Sequence, residues 1–273
     1  MPKQRPHTTE PPGAPPSATA WLALAAILAA TIVLFVPLLR TGFFADDYLF
    51  LDQVRDRSLL EALRAPDPLS NFFRPVSRQL YFWIVAGLTN ESAFAFHVGN
   101  LVSLLGVIVL LWALVRRLAG DRAAVFAAAF LALHYAADIP VRWACGSQEL
   151  LAVAGALGAI LLHVNGRHRW AGVAMLAAAF SKEVVLLAPV IAVVADRRGG
   201  ESWARAARRA WPLALAVAVW GAVALAMPHT HKTQATEVEF DLVASPLAAL
   251  AHLLQVVPGL EWLPGGFPPK PAA

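Results

Sequence analysis

Charge is scarce in this chain and cysteine nearly absent. Of 273 residues only 15% are Asp, Glu, Lys or Arg, against roughly 25% in soluble domains. So few charges cannot clothe a water-facing surface, which excludes a soluble enzyme and a disordered regulator. The single cysteine, Cys145, permits no intramolecular disulfide and excludes a disulfide-stapled secreted scaffold. No internal repeat, glycine-rich phosphate loop, dinucleotide fingerprint or GxSxG stretch is present, so an ATP-driven cytoplasmic machine lacks its signature. What is abundant is apolar: 58% of residues, with a mean hydropathy of +0.59. A crossing helix needs about 20 apolar residues, so the pool suffices for six to eight. The composition predicts an all-α, multi-pass membrane protein. The net charge of +4 then reads as a topology signal and not as a nucleic-acid footprint.

Residues 1–17 are proline-rich and basic through Lys3 and Arg5, a disordered tail. Ala18 to Leu39 carries no charge and reads as a retained anchor, leaving the tail in the cytoplasm. Further apolar runs cover Val98 to Val115, Ala123 to Ala137, Leu150 to Val164, Trp170 to Phe180, Val184 to Ala195 and Trp211 to Met227. Alternate linkers are arginine-rich (Arg116, Arg117 and Arg122; Arg167 and Arg169; Arg197, Arg198, Arg205, Arg208 and Arg209), whereas the short loops opposite hold only Arg142 and Lys182. The positive-inside rule turns this into seven spans in a module over 18–227, with a first outer loop at 40–97. That loop should hold two amphipathic interfacial helices, Asp47 to Arg64 and one opened by Pro75. Threading Trp170 to Ala195 as one span would put the five following arginines outside and is rejected. Half-runs of 11–12 residues reach only about 18 Å of a roughly 30 Å core. Their turn should therefore lie below the outer surface and floor an invagination. Residues 228–273 form an outer segment in which Leu242 to Val257 is an interfacial or an eighth helix, followed by a flexible end.

Three groups could carry chemistry. Asp46-Asp47 lies just past the first span; adjacent carboxylates can hold a divalent cation or make one of the pair a base, or can simply form an acidic helix start. Arg74 and Arg78, four apart, share a helix face and suit a phosphate or pyrophosphate at headgroup depth, with attraction to anionic lipid as the alternative. Lys182 and Glu183 are ionisable residues close to the hydrocarbon, where such groups mark a pathway or site, unless they pair with each other or with Arg142 and Glu149. His97, Asn100 and His134 sit at span ends. His229-x-His231 offers two metal ligands without a third, and Asn90-Glu91-Ser92 fits a glycosylation acceptor.

Six stretches in order resemble the integral-membrane glycosyltransferases of the GT-C type, in particular the polyprenyl- or dolichyl-phosphate-mannose-dependent protein mannosyltransferases and the transmembrane-and-tetratricopeptide-repeat mannosyltransferases. They are Phe44-Ala45-Asp46-Asp47-Tyr48, Asn71-Phe72-Phe73-Arg74-Pro75-Val76-Ser77, Phe96-His97-Val98-Gly99-Asn100-Leu101, Leu133-His134 with Val141-Arg142-Trp143, Gln148-Glu149-Leu150-Leu151, and Ser181-Lys182-Glu183. The resemblance implies a polyprenyl-phosphate sugar donor and inverting transfer to a hydroxyl of a protein, glycan or lipid acceptor on the outer face of the plasma (inner) membrane. Asp46 or Asp47 would be the general base and Arg74, Arg78 and Lys182 would hold the donor phosphate. His97, His134, Arg142, Glu149 and Glu183 would shape the site. Relatives differ in whether they use a divalent metal, which leaves that cofactor open. The tetratricopeptide repeat and further spans of such relatives are absent here, so the alternatives are a minimal enzyme, a truncated copy, or a membrane protein that binds lipid phosphate or works with a partner.

Overall fold

The structure, a computed structural model, describes residues 15–65, 68–69 and 73–226, together with 247, 250, 254 and 256–258. Two units divide at Pro228. The tail before residue 15, Asn71 and Phe72, His229 and His231, and most of Leu242 to Val257 lie outside the described residues. In the second unit Leu247, Leu250 and Leu254 are helical and exposed, at the spacing of one apolar face.

The described part of the first unit is helical throughout. The helices are α1 (Ala18–Phe35), α2 (Asp47–Val54), α3 (Leu59–Arg64), α4 (Tyr81–Thr89), α5 (Ala93–Leu133), α6 (Asp138–Arg142), α7 (Ser147–Val164), α8 (His168–Ala179), α9 (Ala188–Arg198), α10 (Trp203–Arg209) and α11 (Trp211–Ala226). Three stretches are long and apolar enough to cross a membrane, Ala18–Arg40, Ala93–Leu133 and Ala144–Val164, and α10 with α11 makes a fourth if that pair, bent by 55°, counts as one. The apolar side chains do not all turn inward. Leu22, Val33, Phe126 and Leu225 are more than two-thirds exposed, an arrangement that suits lipid and not water.

At 41 residues α5 would run about 60 Å, twice a hydrocarbon core. It does not run straight. Gly120 has φ +83 and ψ 176, a backbone that a residue with a Cβ adopts only under strain, and here the helix breaks. Two anchors show that it doubles back. Thr41 Oγ1, just past α1, lies 3.1 Å from His97 Nε2 at the start of α5, whereas Ser17 at the other end of α1 donates through its amide (2.9 Å) and hydroxyl (2.7 Å) to Asp121. The second limb then returns to the Thr41 end, where Thr41 Oγ1 lies 3.3 Å from the Arg142 carbonyl oxygen. Both limbs pack on α1 in one cluster built from Leu24, Leu104, Ile108, Trp112, Ala128 and Ala132.

The second cluster, between α7, α8, α9 and α11, is made largely of alanine: Ala152, Ala156, Ala159, Ala171, Ala178, Ala188, Ala192 and Ala216. Small residues let backbones approach closely, which is how helices associate where no water drives them together. A Cβ on Gly155 would stand 2.8 Å from that of Ala178.

These contacts give the unit two ends. Arg116, Arg167, Arg197 and Arg209 belong to one, where Leu114 and Leu118 of α5 pack near Leu161 and Val164 of α7. The loops around residues 41–81, 134–149 and 180–187 belong to the other. The loop over residues 40–97 departs from expectation in one respect. Residues 47–64 form two helices, because Asp56 takes a left-handed φ of 53° and Ser58 opens α3 with a capping box to Glu61.

Candidate active site

The acidic pair follows a strained residue, Ala45 with φ +50, and its two carboxylates face different surroundings. Asp47, in the first turn of α2, is fully buried. Its Oδ2 accepts from the Phe44 amide (3.1 Å) and its Oδ1 from the Cys145 amide (2.9 Å). Asp47 is thus spent on two backbone donors 101 residues apart and ties the first loop to the turn Ala144–Gly146. Asp46 is half-buried; its carbonyl accepts from the Leu49 and Phe50 amides, but its side chain caps no helix and has no hydrogen bond or ion pair among the described residues. The pair predicted as interchangeable is a structural carboxylate beside an available one.

The turn that meets Asp47 is held by Gly146, where any side chain would run into the backbone of Pro140. It leads straight into α7, whose first turn carries Gln148 and Glu149. Opposite them, Pro75 opens a wide helical turn over Val76–Leu80, with the Leu80 amide reaching back five residues to the Pro75 carbonyl at 2.9 Å. Such π-turns are frequent at functional sites. Arg74 precedes this turn and Arg78 lies within it, and both are buried. Gln148 Oε1 accepts from each, from Arg74 Nη1 at 2.7 Å and from Arg78 Nε at 3.1 Å, and the Arg78 guanidinium lies 4.4 Å over the Phe50 ring.

The short α8–α9 hairpin closes the arrangement. At 12 and 11 residues these helices reach about 18 Å, and its tip meets residues 74–78 of the first loop. The Val76 amide donates to the Phe180 carbonyl (3.3 Å) and Ser77 Oγ to the Ser181 carbonyl (2.6 Å). Glu183 takes a bidentate hold on Arg74, with Nε to Oε2 at 3.0 Å and Nη2 to Oε1, and Lys182 pairs with Glu149. Burial works against a charged Glu183, but the Arg74 guanidinium outweighs it and holds the carboxyl below its ordinary range. The second Glu149 oxygen, Oε2, is buried without a hydrogen-bond partner.

Arg74, Arg78, Glu149, Lys182 and Glu183 therefore meet at the start of α7, three residues from the amide that holds Asp47. Asp46, Asp47 and Arg78 all act electrostatically on Cys145. The remaining candidates are elsewhere in this end. His97 is fully buried; its Nδ1 faces the Val141 carbonyl at 3.1 Å and so carries the hydrogen, which makes it a clamp between Thr41 of the first loop and the turn at 134–149. Asn100 supports the same turn, donating to the Trp143 carbonyl at 2.7 Å. Arg142 pairs with Asp138 at 2.9 Å, and the His134 ring lies against Phe130 and Tyr135. Among the described residues no three His, Cys, Asp or Glu side chains come together as a metal site.

Two features lie outside the candidate site residues read from the sequence. Gln148, neutral and next to the conspicuous Glu149, is the shared acceptor of both arginines. At the opposite end His163 is fully buried between Asp196 (Nε2 to Oδ2, 3.0 Å) and His168 (Nδ1 to Nδ1, 3.2 Å); the Asn165-Gly166 turn between the histidines, with φ +77 at Gly166, was the cue. Comparison with protein-family models, with curated proteins and with solved structures finds no match.

Proposed function

We propose that this chain is a glycosyltransferase of the GT-C type that moves a sugar from a polyprenyl-phosphate donor to an acceptor hydroxyl. The observation that carries the reading is the meeting of Arg74 and Arg78 on Gln148 with Lys182 on the adjacent Glu149, while Asp47 ties the acidic pair to the Cys145 amide just before α7 and the Asp46 side chain has no hydrogen bond or ion pair among the described residues. Cationic donors at one point stabilise the charge that develops on a lipid-phosphate leaving group. A carboxylate with free oxygens can take the proton of the attacking hydroxyl. Asp46 is assigned as that base and Asp47 as the residue that fixes the loop presenting it. Inversion follows if the hydroxyl attacks the anomeric carbon from the side opposite the phosphate.

The same reading assigns sides. The arginine-rich end faces the cytoplasm with the N-terminus, and the Asp46–Glu183 end faces outward. Seven segments then cross or dip into the plasma membrane: α1, the two limbs of α5, α7, the short α8 and α9, and α11. The test is transfer from a panel of polyprenyl-phosphate sugars to hydroxyl acceptors by purified protein in lipid nanodiscs. Transfer by the wild type that Asp46→Asn abolishes supports the assignment; transfer that survives Asp46→Asn refutes the base. A second reading, a lipid-phosphate-binding protein without turnover or a partner of a larger transferase, is favoured by the carboxylates already paired with Arg74 and Lys182. Phosphate-lipid binding with no transfer from any donor would establish it.

A further inference from the structure

Both Arg74 and Lys182 already have an anion. The Glu183 carboxylate lies on the Arg74 guanidinium as a two-oxygen fork, and Glu149 lies on Lys182. Two oxygens of a phosphate make the same fork on a guanidinium. Resting on the phosphate-binding reading above, we infer that Glu183 and Glu149 are internal stand-ins for the phosphoanion. A phosphate ligand binds by displacing them, while Gln148 keeps Arg74 and Arg78 together.

The asymmetry of burial within each pair gives the direction of movement. The Arg74 side chain is 8% exposed and that of Glu183 29%; Lys182 is 20% exposed and Glu149 33%. In each pair the acidic side chain is the more exposed; Glu183 is the group that can swing into water and be hydrated there, whereas Glu149 keeps its Oε2 buried. The guanidinium is the fixed partner, being buried and held by Gln148. A buried cation left without a counter-charge is strongly destabilising, so a site that must exist without ligand needs an anion of its own. Glu183 sits on a short 3-10 turn, Glu183–Val185, and not within a long helix, so its release disturbs little secondary structure. Gln148 is neutral and its oxygen points to both arginines, so it does not compete with the incoming anion. Such a site excludes neutral headgroups, which cannot replace a carboxylate, and its apparent affinity is lowered by the fraction of time the carboxylates occupy the cations.

The experiment is equilibrium binding of a polyprenyl monophosphate to wild type, Glu183→Gln and Glu149→Gln in nanodiscs of zwitterionic lipid, with inorganic phosphate as a parallel ligand. Exchange predicts that removing one competing carboxylate tightens binding about tenfold, most for Glu183→Gln. Thermal unfolding accompanies each variant, and Glu149→Gln, whose partner is less buried, carries the test if Glu183→Gln fails to fold. Tighter binding of the lipid, with little gain for inorganic phosphate, supports exchange with a lipid headgroup; equal gains support exchange with a free phosphate. Binding by wild type that is unchanged or weakened in both variants overturns the exchange and leaves the phosphate site standing. No binding of either ligand by any protein overturns the phosphate reading itself, and the exchange with it.

Discussion

The difference between Asp46 and Asp47 is open to a direct test by two isosteric substitutions. Asp47 is buried and both its oxygens accept from backbone amides, Phe44 at 3.1 Å and Cys145 at 2.9 Å. In Asp47→Asn one acceptor survives while the new amide group faces the other N–H donor, leaving two buried donors opposed. A hydrogen bond to a charged group contributes about 1.5–3 kcal/mol and an unsatisfied buried donor costs about 1–3 kcal/mol, so the loss should be about 3–5 kcal/mol. The Asp46 side chain has no such partners among the described residues, and Asp46→Asn should change stability by no more than about 0.5 kcal/mol. Activity should divide the other way, with Asp46→Asn folding normally and transferring about 10²–10⁴-fold more slowly, the range of a lost general base. The measurements are denaturant unfolding in detergent micelles and transfer from a polyprenyl-phosphate sugar. Equal stability losses in the two variants, or a stable Asp47→Asn with no transfer beside a fully active Asp46→Asn, would refute the division of roles.

Other consequences follow from single positions. Gly120→Ala places a Cβ at φ +83 and should cost about 1–2 kcal/mol; an unfolding free energy equal to that of wild type would show that the break in α5 is not held by this glycine. Gly146→Ala must push back the Pro140 backbone and should cost about 1–3 kcal/mol. If it displaces the turn that meets Asp47, the Phe44 and Cys145 amides should also exchange hydrogen faster; unchanged exchange contradicts the linkage.

The helices were legible because apolar runs bounded by arginine leave few other structures in a bilayer, and even the shortness of α8 and α9 could be read from run length. The arginine pair was legible too, since Arg74 and Arg78 sit one helical turn apart. What the sequence hid was the partner in each case. Asp47 is held by backbone amides, which look the same at every position, so no residue type announced that it and not Asp46 would be consumed. Gln148 serves through one oxygen shared by two arginines 74 and 70 positions earlier, a geometry that exists only after α7 and the π-turn meet. The break between α2 and α3 turns on a left-handed Asp56, which only the local hydrogen bonding of Ser58 selects. His163 and Asp196, 33 positions apart, were read as parts of apolar and basic runs because period and composition outvoted them.

The bonds from Ser77 to Ser181 and from Arg74 to Glu183 span 104 and 109 positions of chain, and this sets an order for biosynthesis. Synthesis runs from the N-terminus, so Arg74 and the loop that carries it exist well before Glu183 does. In that interval the loop has neither the Glu183 fork nor the hairpin tip to close on. The corner can assemble only once the α8–α9 hairpin has formed, so its formation reports that the preceding segments have taken their places. A chain arrested before residue 181 would lack both long-range bonds at this corner, a difference by which an unfinished molecule could be told from a finished one.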